Sequence, residues 1–594
     1  MSRSNRKSMA FVSFAAVVLL SSVGSISLPR LAAAQGPSDQ SVIHLNQAWS
    51  DDDREWFYHF SQGSAFVSYG IFTNLEVAES QELFRSDANS ARYGFLPEGP
   101  NWMNPDGLPI GFAKTVIKPN EVKGWESEEY AGVTCAGCHE TELSYKGKRV
   151  RIDAGVGEVD LLGWFNALDA SLQATVTDAA KFDRLAARLH ADSADSKKNL
   201  RARLERDAAK IRSIVVTLPT PTIWGPGRFD AVVFISNLLQ GSMAGLHENW
   251  NPGTAPVKPP FLWNSPHGTW TQWTAFAQNP MPRNLGEAVG SYMAIDLHSK
   301  TPAEGLFASN AAIAELERVE LQLERLAPPS WPEDVFGKID RAKARAGEAL
   351  FVELCAGCHN AWPYRWTEPN KFGKRFILVG LVPETYVGTD AHAFTSIQPF
   401  ALTGPFADYL PGEFRGKAIV PSQVVQATLQ RAIIETAIRK LNPTEEQLAK
   451  LYGYREVPFP RPPQDVWKAA PRDGVWATAP FLHNGSVPNL YEMLVPASER
   501  TKKFCITREF DPVKVGRDIG SCSPNAFVMD TTIPGNSNRG HSFQDGPRGN
   551  GTIGPLLTDD ERWAIVEYLK SIPEQPGRIT PFGGPPEASL PQKQ

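Results

Sequence analysis

Apolar residues recur at helical spacing along much of the chain, and the stretches where they do so predict its principal helices. Arg54 to Phe72, REWFYHFSQGSAFVSYGIF, is dense in aromatic side chains and reads as helical segments ahead of the first cysteine. From Lys181 to Val216 a strongly charged run carries one apolar stripe, which predicts a solvent-facing helix or helical hairpin packed through that stripe. Helix formers run from Lys338 straight into the cysteine pair that begins at Cys355. Near the end, LLTDDERWAIVEYLKSIP sets Thr558 and Glu561 at capping-box spacing, with Ile565, Tyr568 and Leu569 on one helix face.

The apolar run Met9 to Leu20 differs from these: Arg3, Arg6 and Lys7 precede it and Ala32-Ala33-Ala34 follows. That order is the signature of a secretory signal peptide over residues 1–34. A membrane anchor is the competing reading, but the run is short of the ~20 apolar residues of a spanning helix. The mature chain is therefore expected to be periplasmic or secreted, with no membrane span. Residues 41–326 read as one unit, the proline-rich APPSWPEDVFG at 327–337 as a linker, 338–572 as a second unit, and the Pro/Gly-rich 573–594 as a flexible tail.

Composition adds an exclusion. Hydrophobic residues at 42% and charged residues at 21% fit a folded chain, while a net charge of −5 without any long Lys/Arg block gives no basis for nucleic-acid binding.

The strongest chemical signal is a repeated string. CAGCH occurs at Cys135–His139 and again at Cys355–His359. In C-x-x-C-H the two thiols stand where they can form thioethers to the vinyl groups of a haem, and the histidine that follows can bind its iron. Zinc is the rival, but it needs a second Cys-x-x-Cys or a His pair to close a tetrahedron, and the remaining cysteines, Cys505 and Cys522, are not so spaced. The expectation is two covalent haem c groups, on Cys135, Cys138 and His139 and on Cys355, Cys358 and His359. Cys505 and Cys522 are expected to form a structural disulfide in an oxidising compartment, with a redox-active pair as the alternative. The nine other histidines and several methionines are the pool for each iron's sixth ligand. Two strong sixth ligands would make an electron carrier, whereas an open position would bind peroxide or dioxygen.

WATAPFLHNGSVPNLYEML, Trp476 to Leu494, resembles the signature downstream of the second haem in bacterial di-haem cytochrome c peroxidases and the methylamine dehydrogenase maturation enzyme. Those relatives ligate the second haem with a Met or Tyr at the position that is Ala497 here, so the chain departs from them at that point. NPDGLPIGFAK, YKGKRVRIDAG, PFLWNSP, RNLGEAVG and IPGNSNRGHSF look like blocks of the rubber-oxygenase-like di-haem cytochromes, over about residues 45–570. The resemblance implies a mainly α fold of two cytochrome c-like haem domains with long loop-rich insertions. It also implies His541 as sixth ligand of the His359 haem and Phe261 as an apolar lid over the His139 haem. His483 becomes a propionate-bonding residue or a satisfied core histidine, and Trp250 and Trp263 become electron relays or core residues. His267, after the PFLW block, is a candidate distal base for peroxide chemistry, weighed against a structural role. Calcium is common between the domains of the peroxidase relatives, but no loop here shows a run of oxygen ligands, and it is kept only as an alternative.

The function implied is an exported di-haem oxidoreductase that activates peroxide or dioxygen at the His139 haem. Its partners would be a small redox donor protein or a small or polymeric olefin. A pure electron-transfer cytochrome is the alternative, and Ala497 lowers the option of protein modification at a distance.

Overall fold

The computed structural model describes residues 42–573 apart from 457, 521 and 523–525, together with 579, 583 and 584. The signal peptide read at 1–34 and most of the tail at 573–594 lie outside the described residues. Helix outweighs strand, 38% to 14%. The architecture is thus mixed rather than mainly α, because short strands fill the insertions between the helices. Among the described residues no helix is long and apolar enough to cross a membrane.

Two helix crossings frame the chain. In the C-terminal half, Arg341–Leu354 packs across Asp559–Ser571. Asp340 caps the first through the amides of Ala342 and Lys343, and Thr558 with Glu561 forms the expected capping box on the second. The crossing is close because Gly347 has no side chain: a Cβ there would overlap the carbonyl of Ala564. In the N-terminal half, Asp51–His59 and Ile313–Leu323 are joined by Arg325 and Gln322 reaching Asp53, and by Trp49 Nε1 donating to Gln322 O at 3.0 Å.

The charged run folds as a hairpin of Ala179–Arg188 and Ala194–Thr217, turned at His190 with φ 53°. Its stripe, including Phe182, Leu185, Leu200, Leu204 and Ile211, is buried in a core built around Trp164. Before it lie two small sheets, one ordering Val42–His44, Lys148–Ile152 and Thr141–Tyr145, the other Val67–Ser68, Glu129–Val133 and Phe112–Val116. The segment 327–337 is a buried strap: Trp331 and Phe336 enter the main core, 5.4 Å from Trp476 and 4.6 Å from Phe510 between ring centroids. That core runs from Leu45 to Ile572, so the two halves share it.

A second relationship joins the halves. Asn264 and Gly474 both adopt left-handed backbone and open the 3₁₀ turns Ser265–His267 and Val475–Ala477. Thr271 bridges Ala277 as Phe481 bridges Val487, and Gln272 and Leu482 both have φ 62°. Asn279 and Asn489 stand at the N-caps of the helices that follow, Pro280–Gly290 and Leu490–Met493. Each pair is offset by the same number of positions, so residues 258–279 and 468–489 are two copies of one motif. The copies also touch reciprocally: Lys258 N donates to His483 O at 2.9 Å, and Lys468 N donates to Trp273 O at 2.8 Å. Contacts in which i meets j and j's counterpart meets i's are those of a local twofold axis.

Candidate haem sites

The two CAGCH strings share a pair of backbone hydrogen bonds. The amides of Cys138 and His139 donate to Cys135 O at 3.1 and 2.9 Å, and those of Cys358 and His359 donate to Cys355 O at the same distances. A glycine lies against the carbonyl of the second cysteine in each copy, Gly157 on Cys138 and Gly380 on Cys358, where a Cβ would overlap that oxygen. The four thiols are unpaired. Burial raises the pKa of all four, Cys138 to about 11 and Cys355 to about 12. Among the described residues no cluster of three or more His, Cys, Asp or Glu is arranged to hold a metal ion by itself.

The duplicated motif supplies the next feature. His139 Nδ1 lies 2.8 Å from Pro260 O, and His359 Nδ1 lies 3.1 Å from Ala470 O, and these carbonyls are counterparts in the two copies. A carbonyl accepts only from a protonated nitrogen, so Nδ1 carries the proton in both rings and Nε2 keeps its lone pair for a metal. Burial pushes His139 down to about 4 and His359 well below its ordinary value, which keeps both neutral at pH 7.

A cavity opens over Cys355, Cys358 and His359, and His541 is in its wall. The rings of His359 and His541 have centroids 6.2 Å apart. Two imidazoles that bound one metal ion from opposite sides, each with a metal–nitrogen bond of about 2.0 Å and about 1.1 Å from nitrogen to ring centre, would have centroids about 6.2 Å apart. His541 Nδ1 is buried without a protein partner, and burial lowers the ring to about 3. Lys258, Lys468, Arg472 and Arg548 also line the cavity and suit the carboxylates that a haem carries. The residues present therefore fit a haem held by two thioethers and two histidines.

The loop that delivers His541 is built for it. Arg500, 2% exposed, donates to the carbonyls of Asn538, Gly540 and His541 at 2.6–2.9 Å and to Glu492 O at 3.0 Å. His541 N donates to Val387 O at 2.8 Å, and Gly540, at φ 72°, sits so close to Gly388 that a Cβ would overlap its backbone. Ala497, where the peroxidase relatives keep their ligand, has its amide 2.9 Å from Ser542 Oγ. The two alternative ligand positions are thus neighbours in space.

Around the first motif, Cys135 Sγ is 3.6 Å from Gln62 Oε1. Nearby, Arg283 pairs with Glu320, and Gln272 Nε2 donates to Glu287 Oε1 at 2.7 Å. Glu287 carries the largest charge effect on both Cys135 and Cys138.

The other expected residues fall as follows. Phe261, one residue beyond the carbonyl that holds His139, lines the His359 cavity and stacks on Trp263 at 4.5 Å. Trp263 is buried and donates from Nε1 to Asp473 O at 3.0 Å, from one copy of the motif to the other. Trp250 lies elsewhere, stacked on His247 with Nε1 on Ser242 Oγ. His267 is buried with Nε2 3.0 Å from Glu324 O and does not line the cavity. His483 does line it, stacked on Trp467 at 4.1 Å, with burial lowering it to about 4. Cys505 and Cys522 are joined, with Cα atoms 5.7 Å apart.

Sequence reasoning missed Trp273. It is the counterpart of His483, it lines the His359 cavity, and its neighbour Gln272 reaches the Glu287 that flanks the first cysteine pair. Arg500 and the lysine pair Lys258 and Lys468 were also missed. Among the paired positions named above, only Lys258/Lys468 and Asn279/Asn489 keep the same residue, so the duplication leaves little trace in the sequence.

Comparison with known proteins agrees with this geometry. Residues 466–505, which hold Ala470, His483 and Arg500, match a family model described as RoxA-like, cytochrome c-like. Such a domain carries covalently bound haem c. The uncharacterized protein y4iM of Sinorhizobium fredii is 27% identical over 328 residues, 52% of this chain and 63% of its own length. The uncharacterized protein y4iJ of the same organism is 33% identical over 584 residues, covering 90% of this chain and 94% of that one, and the chain belongs to its family, one with a RoxA-like cytochrome c domain.

Proposed function

We propose that the chain is an exported di-haem c-type oxidoreductase that activates peroxide or dioxygen at the Cys135–Cys138–His139 site and relays electrons through the Cys355–Cys358–His359 site. One observation carries this reading, a difference in the histidines around the two sites. His359 faces His541, whereas among the described residues no histidine ring is paired with His139. The buried histidines of the N-terminal half are committed elsewhere, His59 to Phe112 O and Glu98, and His267 to Glu324 O. A haem iron with an open position supplies binding and reduction of peroxide or dioxygen, and one with two histidines supplies electron transfer.

The chain's own residues then have distinct tasks. Pro260 O and Ala470 O hold the proton on Nδ1 of each proximal histidine and so fix ring and tautomer. Arg500 holds His541 in place. Trp273, in the wall of the second cavity and next in sequence to the Gln272 that reaches Glu287, would serve as an electron relay between the sites. Arg472 and Arg548, in the wall of the second cavity, would pair with the carboxylates of a group held there. Cleavage of an isoprenoid-type olefin with dioxygen is the narrower version of the reading, and peroxide reduction with a small redox protein as donor the broader one.

The test is to mix haem-loaded, half-reduced protein with hydrogen peroxide without air, and separately with dioxygen and a short isoprenoid olefin. A spectral change confined to one haem, followed by turnover in one arm, supports the proposal. No response to either, nor to azide or cyanide, overturns it.

A further inference from the structure

A second cavity, sharing no residue with the first, lies between the first turn of Leu161–Thr177, the end of Ala194–Thr217 and the loop that carries Trp224. Its volume is about 190 Å³. Phe165, Leu218, Trp224, Phe229 and Phe234 supply apolar wall, Asp160, Asn166 and Thr220 polar wall, and Arg228 is set among them.

Arg228 is 5% exposed, yet its Nε and Nη2 have no hydrogen-bond partner. Its third nitrogen is fixed, donating to Asn536 Oδ1 at 2.7 Å, and Asn536 is itself buried and donates to Asp530 O. Nε and Nη2 form the edge of a guanidinium that grips a carboxylate with two parallel bonds. The same protein uses that edge twice for this purpose: Arg149 on Glu142 at 2.8 and 3.1 Å, and Arg184 on Glu76 at 2.8 and 2.6 Å. At Arg228 no protein carboxylate fills it. The nearest acid, Asp160, also lines the cavity, but its Oδ1 takes the amide of Gly163 and no ion pair with Arg228 is formed. Burial lowers Arg228 to about 9, so the group is charged at neutral pH. A buried, charged donor edge left unpaired is costly, which favours any ligand that pairs it.

The geometry points to a binding site for a small monocarboxylate with an apolar body, its carboxylate on the Nε/Nη2 edge of Arg228 and its body against Phe165, Leu218 and Trp224. A cavity of about 150 Å³ takes benzene, so the present one admits a benzoate or a short fatty acid. Asp160 at the wall disfavours a second negative charge, and dianions such as phosphate are excluded on that ground.

Calorimetric titration of the full-length, haem-loaded protein with benzoate, hexanoate, benzamide and inorganic phosphate tests the site. Benzoate or hexanoate is expected to bind about tenfold or more tightly than benzamide, with phosphate silent, because a site built around a charged donor edge rejects the neutral isostere. Arg228→Lys keeps the charge but loses the fork, and is expected to weaken the carboxylate about tenfold with the haem spectrum unchanged. Ile223, 44% exposed at the rim, offers a second variant: Ile223→Trp closes the mouth and abolishes binding without touching the buried network. Should Arg228→Lys fail to fold, Ile223→Trp and the benzamide comparison decide. Absence of carboxylate binding at millimolar concentration, equal affinity for benzoate and benzamide, or unchanged binding by Ile223→Trp overturns the site.

Discussion

His359 and His541 face each other with ring centroids 6.2 Å apart, although one follows the turn just beyond the helix Arg341–Leu354 and the other rides a loop near the end of the C-terminal half. Neither ring reaches the other through a direct bond, and the cavity between them holds the two thiols of the second CAGCH string. The spacing fits two rings that share one atom between them. It depends on Arg500, whose guanidinium gathers carbonyls from both sides of the loop.

Arg500→Gln removes most of those bonds. We expect a loss of about 3–5 kcal/mol in stability, the range for breaking a buried charged network. More specifically, the second haem should gain a high-spin fraction while the first is unaltered. Optical and paramagnetic resonance spectra of the variant, beside urea unfolding, check both effects.

Gly347→Ala sets two known effects against each other. Alanine gains roughly 1 kcal/mol of helix propensity over glycine. Its methyl would overlap Ala564 O at the crossing of Arg341–Leu354 and Asp559–Ser571, and overpacking of this kind costs about 1–3 kcal/mol or more. The clash should win, with a net loss of about 2 kcal/mol, measured as a lower urea midpoint with the slope unchanged.

Glu76 ties the helical hairpin to the N-terminal half through Arg184 at 2.6 Å and Arg188 at 2.7 Å, with Lys181 near by. Its hydrogen bond to Arg184, and then that to Arg188, lowers its pKa from 4.5 to about 2 against the opposing effect of burial. A carboxyl depressed in the folded state gives stability that is complete above its unfolded value and is lost as the pH falls through its folded value. The contribution, about 3 kcal/mol at pH 7, should decline between pH 5 and pH 2. Glu76→Gln should cost that much at pH 7 and nearly nothing at pH 2, which unfolding curves of the two proteins across this range will show.

Trp273→Phe should leave the spectra of both haems unchanged, because the Trp273 indole makes its hydrogen bond to Lys258 O and not to either proximal histidine. Electron passage from the His359 haem to the His139 haem should slow by about an order of magnitude if the indole lies on the route. Flash reduction followed at one wavelength for each haem measures that step. Trp250→Phe, far from the cavity, serves as the control.

The legible parts of this molecule are those whose chemistry needs neighbours in sequence. CAGCH can be read because two thioethers and one iron ligand come from five consecutive residues, and the cap at Thr558 because its partner is three positions on. The charged hairpin was legible from its single apolar stripe. Arg500 and Trp273 were not, because what they do depends on contacts made after the chain has folded onto itself, and the two motif copies share almost no side chains. The segment 327–337 reads as a linker from its prolines, and its burial rests on Trp331 and Phe336, side chains of the kind that a core takes up. Short strands in the insertions have too few positions to show an alternating pattern, which is why the fold is less helical than expected.

The most direct test of the central claim is the electron paramagnetic resonance spectrum of the oxidised, haem-loaded protein and of its His541→Ala variant. The account predicts one low-spin haem with two histidine ligands beside one haem with an open or exchangeable position, and conversion of the low-spin signal to high spin in the variant. Two low-spin signals that His541→Ala leaves untouched would contradict it.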